Sequence, residues 1–370
     1  MAENLSTDSM LGVLEDLVMT ETPSDDPVLM RAGMDLTAGL VRRLLGQTPE
    51  SLEIDGRPHL RLRGGSPEPV LVLCHLDTVW PAGTTRRWPF RVGDGRATGP
   101  GVFDMKAGLV QALYALSAVT CQTAVTLLIT SDEEVGSPSS RALIEEEARG
   151  SRAVLVLEAS ADGALKTARK GTSMYRLLIQ GRAAHAGLEP ERGVSALVEL
   201  AHQVQAAAAL GDPVAGTSVT PTTASAGTTA NTVPALAEMA IDVRAWTAAE
   251  QARVHEALSL LRPRLPGASL RLTGGVNRPP LEATRSAALA ELVDRCAERL
   301  GIRPLGRAEV GGASDGNFTA ALGIPTLDGL GAVGANAHAE GEYVDTSFMV
   351  ERTELVGALL EHLVDGKAAR

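Results

Sequence analysis

The sequence is poor in aromatic side chains and has no paired cysteines. Aromatic residues make up only 3% of the 370 residues, so a hydrophobic core has to be built mainly from Ala, Leu, Val and Gly. Cys74, Cys121 and Cys296 lack the paired spacing of a disulfide framework or of a cysteine zinc site. Neither kind of site is therefore predicted.

The chain also lacks an excess of basic residues and a long apolar run. Its formal charge of −11 argues against nucleic acid as a partner, because a phosphate-binding face needs clustered Lys and Arg. No stretch reaches the roughly 18 apolar residues of a membrane helix, and residues 1–10 are polar, unlike a signal peptide. We therefore expect a cytoplasmic protein that binds neither membranes nor nucleic acids.

What the sequence does contain is an alternation of buried strands and helices. A chain of 370 residues is longer than a single hydrophobic core usually supports, so two domains are expected. The apolar runs 70–74, 124–129 and 153–157 have the continuous aliphatic pattern of buried parallel strands. The prediction is an α/β fold whose catalytic domain has a mostly parallel central sheet flanked by helices.

The pattern changes between residues 173 and 278. There the predicted order is strand, helix, two strands, helix and strand, which is the split βαβ arrangement of a compact α+β sandwich. A helix over 194–210 should have Leu197 and Val198 on its apolar face. The prediction is a catalytic domain formed by residues 1–172 and 279–370, interrupted by an inserted domain over 173–278.

An acidic cluster follows the second of the three apolar runs. Asp132, Glu133 and Glu134 follow the carboxyl end of a predicted strand. Open α/β sheets usually have their functional sites at this end of the strands. Taken alone, such a cluster is more often the solvated first turn of a helix, stabilised by the helix dipole. Because neighbouring side chains on an extended backbone point in opposite directions, Glu133 and Glu134 can serve different functions, one toward a metal and one toward a proton.

Other loop ends carry the same kinds of side chain. His75 and Asp77 follow the first apolar run, and Glu158 follows the third. Asp104 precedes a helix, where an N-cap role would be a sufficient explanation, and His338 lies in a Gly- and Ala-rich loop. Two imidazoles and several carboxylates are the ligand set expected of paired Zn²⁺ ions, which a bridging carboxylate holds roughly 3.5–4 Å apart.

The motifs around these residues resemble the zinc-dependent aminoacylase and carboxypeptidase G family of metallopeptidases, most of all its glutamate carboxypeptidase branch. They occur in the family's order over nearly the whole chain. The motifs are His75-Leu76-Asp77-Thr78-Val79, Gly99-Pro100-Gly101-Val102-Phe103-Asp104-Met105-Lys106, Ser131-Asp132-Glu133-Glu134-Val135-Gly136, Glu158-Ala159 and Ala337-His338-Ala339-Glu340-Gly341-Glu342-Tyr343-Val344. The resemblance implies that the inserted domain is a lid and dimerisation module, so a homodimer is expected.

The resemblance also implies a metal-ligand set. Asp104 would bridge two zinc ions, with His75 and Glu158 completing one site and Glu134 and His338 the other. We therefore expect two Zn²⁺ per chain, with Co²⁺ or Mn²⁺ as substitutes.

Catalytic roles follow from the same motifs. Asp77 would accept the other ring N–H of His75 and fix its tautomer. Glu133 would be the general base toward the metal-bound water and then the acid toward the leaving amine. His185 matches the histidine that stabilises the tetrahedral oxyanion, often from the other subunit, although a surface turn would also explain it.

Substrate contacts are expected from the inserted domain and from one loop beyond it. Asn231 and Arg244 match substrate-binding positions, although Arg244 could equally form an ordinary salt bridge at a strand end. Gly312 and Ser314 belong to a loop that usually lines the pocket. The remaining histidines match no motif and are expected to face solvent; they are His59, His202, His255 and His362.

The leading hypothesis is a two-zinc metallohydrolase that cleaves an amide bond and releases a C-terminal amino acid from a small peptide. The alternative keeps the chemistry and changes the substrate to an N-acyl amino acid, as in aminoacylases and acetyl or succinyl amino acid deacylases. A third reading, an inactive relative that serves as a binding protein, is disfavoured by the retained Glu133 and the full ligand set.

Overall fold

The computed structural model describes residues 5–364. Its helices, in chain order, are α1 Thr7–Met19, α2 Pro27–Leu45, α3 Thr84–Arg87, α4 Ala107–Ala118, α5 Arg141–Arg149, α6 Ala196–Ala208, α7 Ala248–Ser259, α8 Ala287–Leu300, α9 Gly316–Ala321 and α10 Met349–Val364. Within this described part, none of the helices combines the length and the apolarity that a membrane crossing requires.

The strands alternate with these helices. In chain order they are β1 Glu50–Ile54, β2 Arg57–Leu62, β3 Val70–His75, β4 Arg91–Gly93, β5 Arg96–Thr98, β6 Val125–Thr130, β7 Ala153–Val156, β8 Leu165–Arg169, β9 Gly171–Gln180, β10 Ala184–His185, β11 Ser218–Ala226, β12 Thr232–Val233, β13 Leu236–Ala245, β14 Ser269–Arg278, β15 Arg307–Val310, β16 Thr326–Leu327, β17 Gly334–Ala335 and β18 Tyr343–Asp345.

The described chain divides into two compact units. The second unit consists of residues 169–281 together with 311–313, and the first contains the rest of the described chain. The predicted insertion, residues 173–278, lies a few residues inside the bounds of this unit.

The first unit is built around a central sheet with strand order β1-β2-β6-β3-β7-β16. The strands β6, β3, β7 and β16 run parallel, whereas β1 and β2 pair antiparallel at one side. Every residue of β3, β6 and β7 is buried, which explains why their sequences are continuously apolar rather than alternating. The prediction of a mostly parallel central sheet flanked by helices is confirmed.

Local sequence signals account for the ends of the flanking helices. In α2, the Asp26 carboxylate accepts hydrogen bonds from the amides of Val28 and Leu29, and Pro27 occupies the first helical position. The helix ends at Gly46, whose φ of +67° is costly for any residue with a Cβ atom. These caps let α2 pack its apolar side on the sheet.

The second unit is an antiparallel sheet of order β11-β13-β9-β14 with α6 and α7 packed on it. Its chain order, β9-α6-β11-β13-α7-β14, is the split βαβ arrangement that the sequence indicated. Burial alternates residue by residue along β13, as expected for a sheet with one covered face. The strand β11 lies at an edge of the sheet.

The buried face of α6 differs from the apolar face seen in the sequence. Leu197 and Val198 are 50% and 48% exposed, whereas Leu200, Gln203 and Ala207 are buried. Gln203 is accommodated in the interior because it donates hydrogen bonds to the Glu199 carboxylate and to a backbone carbonyl. The helix therefore presents apolar side chains outward.

Candidate metal centre

Three parallel strands deliver side chains to one edge of the central sheet. His75 is the last residue of β3, Glu134 lies in the turn after β6, and Glu158 follows β7 by two residues. Because β3 pairs in parallel with both β6 and β7, the three carboxyl ends meet at the same edge.

Asp104 reaches this edge from the loop before α4. The loop turns at Gly101, whose φ is +71°, and a Cβ atom there would lie 2.4 Å from the Thr78 methyl carbon. Asp104 has extended backbone angles, φ −114° and ψ 97°. It is not the N-cap of α4, because that helix begins at Ala107 and its N-cap position is Lys106. The extended residue directs its carboxylate toward the strand ends.

One oxygen of Asp104 belongs to a first group of possible ligands. His75 Nε2 lies 3.4 Å from Asp104 Oδ1 and 3.3 Å from Glu158 Oε1. All three side chains are largely buried, and both His75 Nε2 and Asp104 Oδ1 are buried without a hydrogen-bond partner. Such orphaned atoms are rare in folded proteins and indicate a ligand at this position.

The other oxygen of Asp104 belongs to a second group. His338 Nε2 lies 3.3 Å from Asp104 Oδ2 and 3.1 Å from Glu134 Oε1. His338 has a φ of +62°, a left-handed conformation that is uncommon for residues other than glycine. The turn thus holds His338 in a strained backbone conformation that places its ring against the two carboxylates.

These separations fit a pair of metal ions. Ligands at about 2.1 Å from a tetrahedral ion lie about 3.3–3.4 Å from one another. In both groups the ligand atoms lie within 4.8 Å of one another, and the closest pairs are 3.1–3.4 Å apart. Asp104 contributes a different oxygen to each group, which is the arrangement of a carboxylate that bridges two ions.

The charges of the cluster are partly balanced within the protein. Burial opposes protonation of His75, but the nearby carboxylates, Asp104 first, outweigh it and raise the pKa of this imidazole well above its usual value. Contacts with Asp104 and Glu134 raise the pKa of His338 to about 10. The two imidazoles in turn hold the pKa of Asp104 far below its usual value, against the effect of burial. A bound cation would take the place of these protons.

Asp77 lies directly behind the first group. The nearest partner of His75 Nδ1 is the backbone carbonyl of Asp77 at 3.0 Å, and the Asp77 carboxylate oxygen Oδ1 is farther away at 3.4 Å. The carboxylate accepts hydrogen bonds from the amides of Glu133 and Glu134, both at 3.1 Å, and from the Ser24 hydroxyl at 2.8 Å. Asp77 therefore fixes the ring of His75 and the turn that carries the two glutamates.

A second buried network supports the same turn. The Asp132 carboxylate accepts hydrogen bonds from the amides and hydroxyls of both Ser139 and Ser140. The ring of His59 lies 3.0 Å from the Ser139 hydroxyl and is fully buried, so the expectation that His59 faces solvent is wrong. The strand β2, which carries His59, pairs with β6 and is covered there. His202 and His255 are exposed as expected, and His362 is half-buried.

In the second unit, His185 and Asn231 are close to each other. β10 and β12 pair antiparallel with His185 opposite Thr232, and the Ala186 amide donates to the Asn231 carbonyl at 2.9 Å. The amides of Gly187 and Leu188 both donate to His185 Nδ1, at 3.1 and 3.2 Å. The proton of the neutral ring therefore lies on Nε2, which can donate a hydrogen bond.

Arg244 lies near the end of β13, in the four-stranded sheet, which is separate from the β10–β12 pair that carries His185. It is paired with Thr172 of β9, whereas Leu236, at the start of the same strand, is paired with Gln180. Its guanidinium forms a two-point ion pair with Asp242, with distances of 2.9 and 3.0 Å. Arg244 thus forms a salt bridge on its strand, which was the alternative interpretation of this residue.

The two residues predicted in the pocket loop differ in their surroundings. Gly312 is exposed, and its carbonyl accepts a hydrogen bond from Arg169 at 3.1 Å. Ser314 is 1% exposed, and its hydroxyl donates to Asp328 at 2.5 Å. The Ser314 hydroxyl therefore positions the loop that precedes α9.

Glu342 belongs to the motif around His338, but no role was predicted for it. Glu342 is completely buried and accepts hydrogen bonds from the amides of Gly101, Phe103 and Asp104 and from the Trp80 indole. No sequence pattern distinguishes the buried Glu342 from the exposed Glu340 two residues earlier.

An α/β sheet edge with two candidate ligand groups that share one carboxylate is an arrangement found in metal-dependent hydrolases with a dinuclear centre. The comparisons with known proteins identify the family within this class. The profile of Peptidase family M20/M25/M40 matches residues 71–362, and the chain belongs to this family.

Individual relatives agree with this assignment. Carboxypeptidase G2 of Pseudomonas sp. (strain RS-16) is 32% identical over 385 aligned residues, which cover 97% of this chain and 90% of that protein. Succinyl-diaminopimelate desuccinylase of Bordetella pertussis is 26% identical over 390 residues, covering 97% of this chain and 99% of that protein.

A solved structure shares the fold. The M20 family metallo-carboxypeptidase Sso-CP2 from Sulfolobus solfataricus matches with a TM-score of 0.74 at 16% identity, over 96% of this chain and 99% of that chain. The resemblance stated from the motifs is confirmed, and the chain is an enzyme of the metallopeptidase and amidohydrolase class.

Proposed function

We propose that the enzyme uses two zinc ions to hydrolyse an amide bond and release a C-terminal amino acid, as a glutamate carboxypeptidase does. The sharing of Asp104 between two ligand groups carries the proposal, because it provides for two ions side by side. The choice of branch is supported by the 32% identity to carboxypeptidase G2 over nearly the whole of both proteins.

The residues of the first unit have distinct tasks in this reaction. Bound in the two ligand groups, the ions would polarise the scissile carbonyl and lower the pKa of a water molecule. Glu133 takes a proton from that water and returns it to the leaving nitrogen. Its amide is held by Asp77, as is that of Glu134, so the base keeps a fixed position next to a metal ligand.

The second unit would supply hydrogen bonds to the substrate. His185 Nε2–H donates to the oxyanion of the tetrahedral intermediate, and Arg244 binds the free α-carboxylate of the substrate. From Leu236 to Arg244 an extended strand covers about 26 Å, and His185 lies beyond the Leu236 end. A dipeptide spans only about 7 Å. Both residues of one chain therefore cannot contact the same small substrate.

This separation favours a homodimer in which each substrate meets Arg244 of one chain and His185 of the partner. The exposed apolar residues Leu197 and Val198 on α6 and the unpaired edge of β11 are features typical of surfaces that bind a second chain. Pairing through the inserted unit would cover both. A cytoplasmic location is part of the same proposal.

The alternative function is the removal of an acyl group from an N-acyl amino acid. It is favoured by the match to succinyl-diaminopimelate desuccinylase, which is full-length although less identical. The same metal centre and the same Glu133 would serve both reactions, so the acyl and amino acid side chains of the substrate decide between them.

The experiment is a turnover screen of the zinc-loaded enzyme. Dipeptides and N-aroyl amino acids ending in glutamate are compared with N-acetyl and N-succinyl derivatives of ornithine and diaminopimelate, each with Glu133→Gln enzyme as the blank. Preference for the glutamate substrates supports the proposal, and preference for the others supports the alternative.

Metal dependence is tested on the same preparation. We expect two divalent ions per chain, loss of all activity with a chelator, and recovery with Zn²⁺, Co²⁺ or Mn²⁺. Full activity with one tightly bound ion per chain would contradict the dinuclear centre.

A further inference from the structure

Glu342 is a buried carboxylate that accepts four hydrogen bonds, three of them from the loop that carries Asp104. Its Oε1 accepts from the amides of Phe103 and Asp104, at 2.8 and 2.9 Å. Its Oε2 accepts from the Gly101 amide and from the Trp80 indole nitrogen, both at 3.1 Å. Four donors saturate the carboxylate, which is 0% exposed.

The loop needs these bonds because its backbone is irregular. Gly101 is left-handed and Asp104 is extended, so the amides from 101 to 104 cannot all find partners in a helix or a strand. A buried amide without a partner costs about 1–3 kcal/mol. The Glu342 carboxylate accepts the hydrogen bonds that these amides would otherwise donate within a helix or a strand. It thereby fixes the conformation in which Asp104 faces two ligand groups.

The segment that contains Glu342 also contains His338. Residues 336–342 form a closed turn, in which the Glu342 amide donates to the Ala339 carbonyl at 3.1 Å and the Asn336 side chain donates to the Gly341 carbonyl at 3.2 Å. Glu342 therefore connects the turn of His338 to the loop of Asp104. These two residues are members of the second ligand group, with Glu134.

We propose that Glu342 is a positioning residue that holds Asp104 in its bridging orientation and so maintains the second ion site; this rests on the two-ion centre proposed above. Without this carboxylate, Asp104 can still face His75 and Glu158, which are held by strand ends. Its other oxygen loses its fixed relation to His338 and Glu134. We therefore expect substitution of Glu342 to weaken binding of the second ion more than binding of the first.

The test is a metal titration of chelator-treated protein with Co²⁺, followed by calorimetry and visible absorption. The Glu342→Gln variant keeps the volume of the side chain but replaces one acceptor oxygen by an NH₂ group that faces amide donors. We expect it to bind one ion with near-native affinity and to bind the second roughly 10–100-fold more weakly, the range seen for residues behind metal ligands.

Glu340→Gln is the matched control. Glu340 lies two residues away, has a side chain that is 70% exposed, and contacts only the exposed Arg87 at 3.4 Å among the ion pairs of the described residues. We expect two ions with native affinities and a native spectrum. If Glu342→Gln does not fold, Trp80→Phe removes one of the four donors and should weaken the second ion a few-fold in the same direction.

Each outcome has a distinct meaning. A folded Glu342→Gln protein that binds both ions with native affinity overturns the positioning role, and so does an equal loss at both sites, because a merely structural residue would act on both. If the unsubstituted protein binds fewer than two ions, the proposed dinuclear centre itself fails, independently of Glu342.

Discussion

The two units of this enzyme hold their candidate functional residues in opposite ways. In the first unit, residues as far apart in the chain as His75 and His338 converge on one carboxylate with contacts of 3.1–3.4 Å. In the second unit, His185 lies on the short β10–β12 pair, beyond the end of β13 that starts at Leu236. Arg244 lies near the other end of β13, about 26 Å from Leu236 along an extended strand.

The difference reflects what each chemistry demands. A metal centre needs several ligands within one coordination sphere, so a single chain has to supply them at fixed distances. Substrate contacts need only face the substrate when it is bound, and they can come from a second chain. The first unit thus brings all five candidate metal ligands together within one chain. In the proposed function, the second unit supplies one half of a recognition surface that a partner chain completes.

The largest effect on activity is expected from substitutions in the acidic turn. The neighbours Glu133 and Glu134 serve there as matched controls for each other. Glu133→Gln should lower kcat roughly 10²–10⁴-fold with both ions bound, because it removes the general base and no ligand. Glu134→Gln should instead weaken one ion, since Glu134 Oε1 lies 3.1 Å from His338. Metal analysis of the purified variants, together with kcat, checks this. The reverse pattern would show that the two assignments are exchanged.

A smaller but more informative effect is expected from mixing two inactive variants. If His185 acts across the dimer, His185→Ala and Glu133→Gln chains together restore one intact site in each hybrid. Random exchange should then recover about a quarter of native activity, because half of the dimers are hybrids with one working site of two.

The control for this mixture is a pair in which both partners carry Glu133→Gln, which should recover nothing. Subunit exchange is verified with differently tagged chains. Hybrids that form and remain inactive would indicate that His185 acts within its own chain or not at all.

The smallest of the three effects concerns recognition of the substrate carboxylate. Arg244→Ala should cost at least about 2 kcal/mol of transition-state stabilisation, roughly 30-fold in kcat/KM, from loss of a charge-assisted pair. Arg244→Lys should recover only part, because it lacks the planar fork. The native enzyme should prefer a free C-terminal carboxylate over its amide, and Arg244→Ala should lose that preference.

The Asp242→Asn variant distinguishes binding of the substrate carboxylate by Arg244 from the ion pair between Arg244 and Asp242. Asp242 holds the Arg244 guanidinium at 2.9 and 3.0 Å, and the substitution removes its charge while leaving the cation in place. We expect a smaller change than with Arg244→Ala and a retained preference for the free carboxylate. Equal turnover of a substrate and its amide by the native enzyme would contradict the role of Arg244 altogether.

Sequence patterns were sufficient to predict which strand-end residues meet at the sheet edge of the candidate metal centre. The continuous apolar runs predicted buried parallel strands, and the carboxyl ends of such strands have to meet, which places His75, Glu134 and Glu158 together. Asp104 and His338 lie on loops, where no periodicity indicates direction. Their grouping came from the resemblance of motifs to a family, and no pattern of spacing could have provided it.

Burial of polar residues was the part that the sequence did not reveal. Glu340 and Glu342 are two residues apart in a polar segment, yet one is exposed and the other is fully buried beneath the Asp104 loop. His59 was expected to face solvent and is buried against Ser139, a contact between residues 80 positions apart in the sequence. Similarly, the outward position of Leu197 and Val198 could not be inferred from helical spacing alone.

The two halves of the metal centre differ in their access to water, and this has a kinetic consequence. The His75 side chain is 2% exposed, whereas that of His338 is 49% exposed. An ion leaves a site by exchanging its ligands for water one at a time, so the half with the wetted imidazole should release its ion sooner. Brief dialysis would then yield a protein with a single resident ion, and adding a different metal would give a defined heteronuclear enzyme in which the two ions can be distinguished spectroscopically.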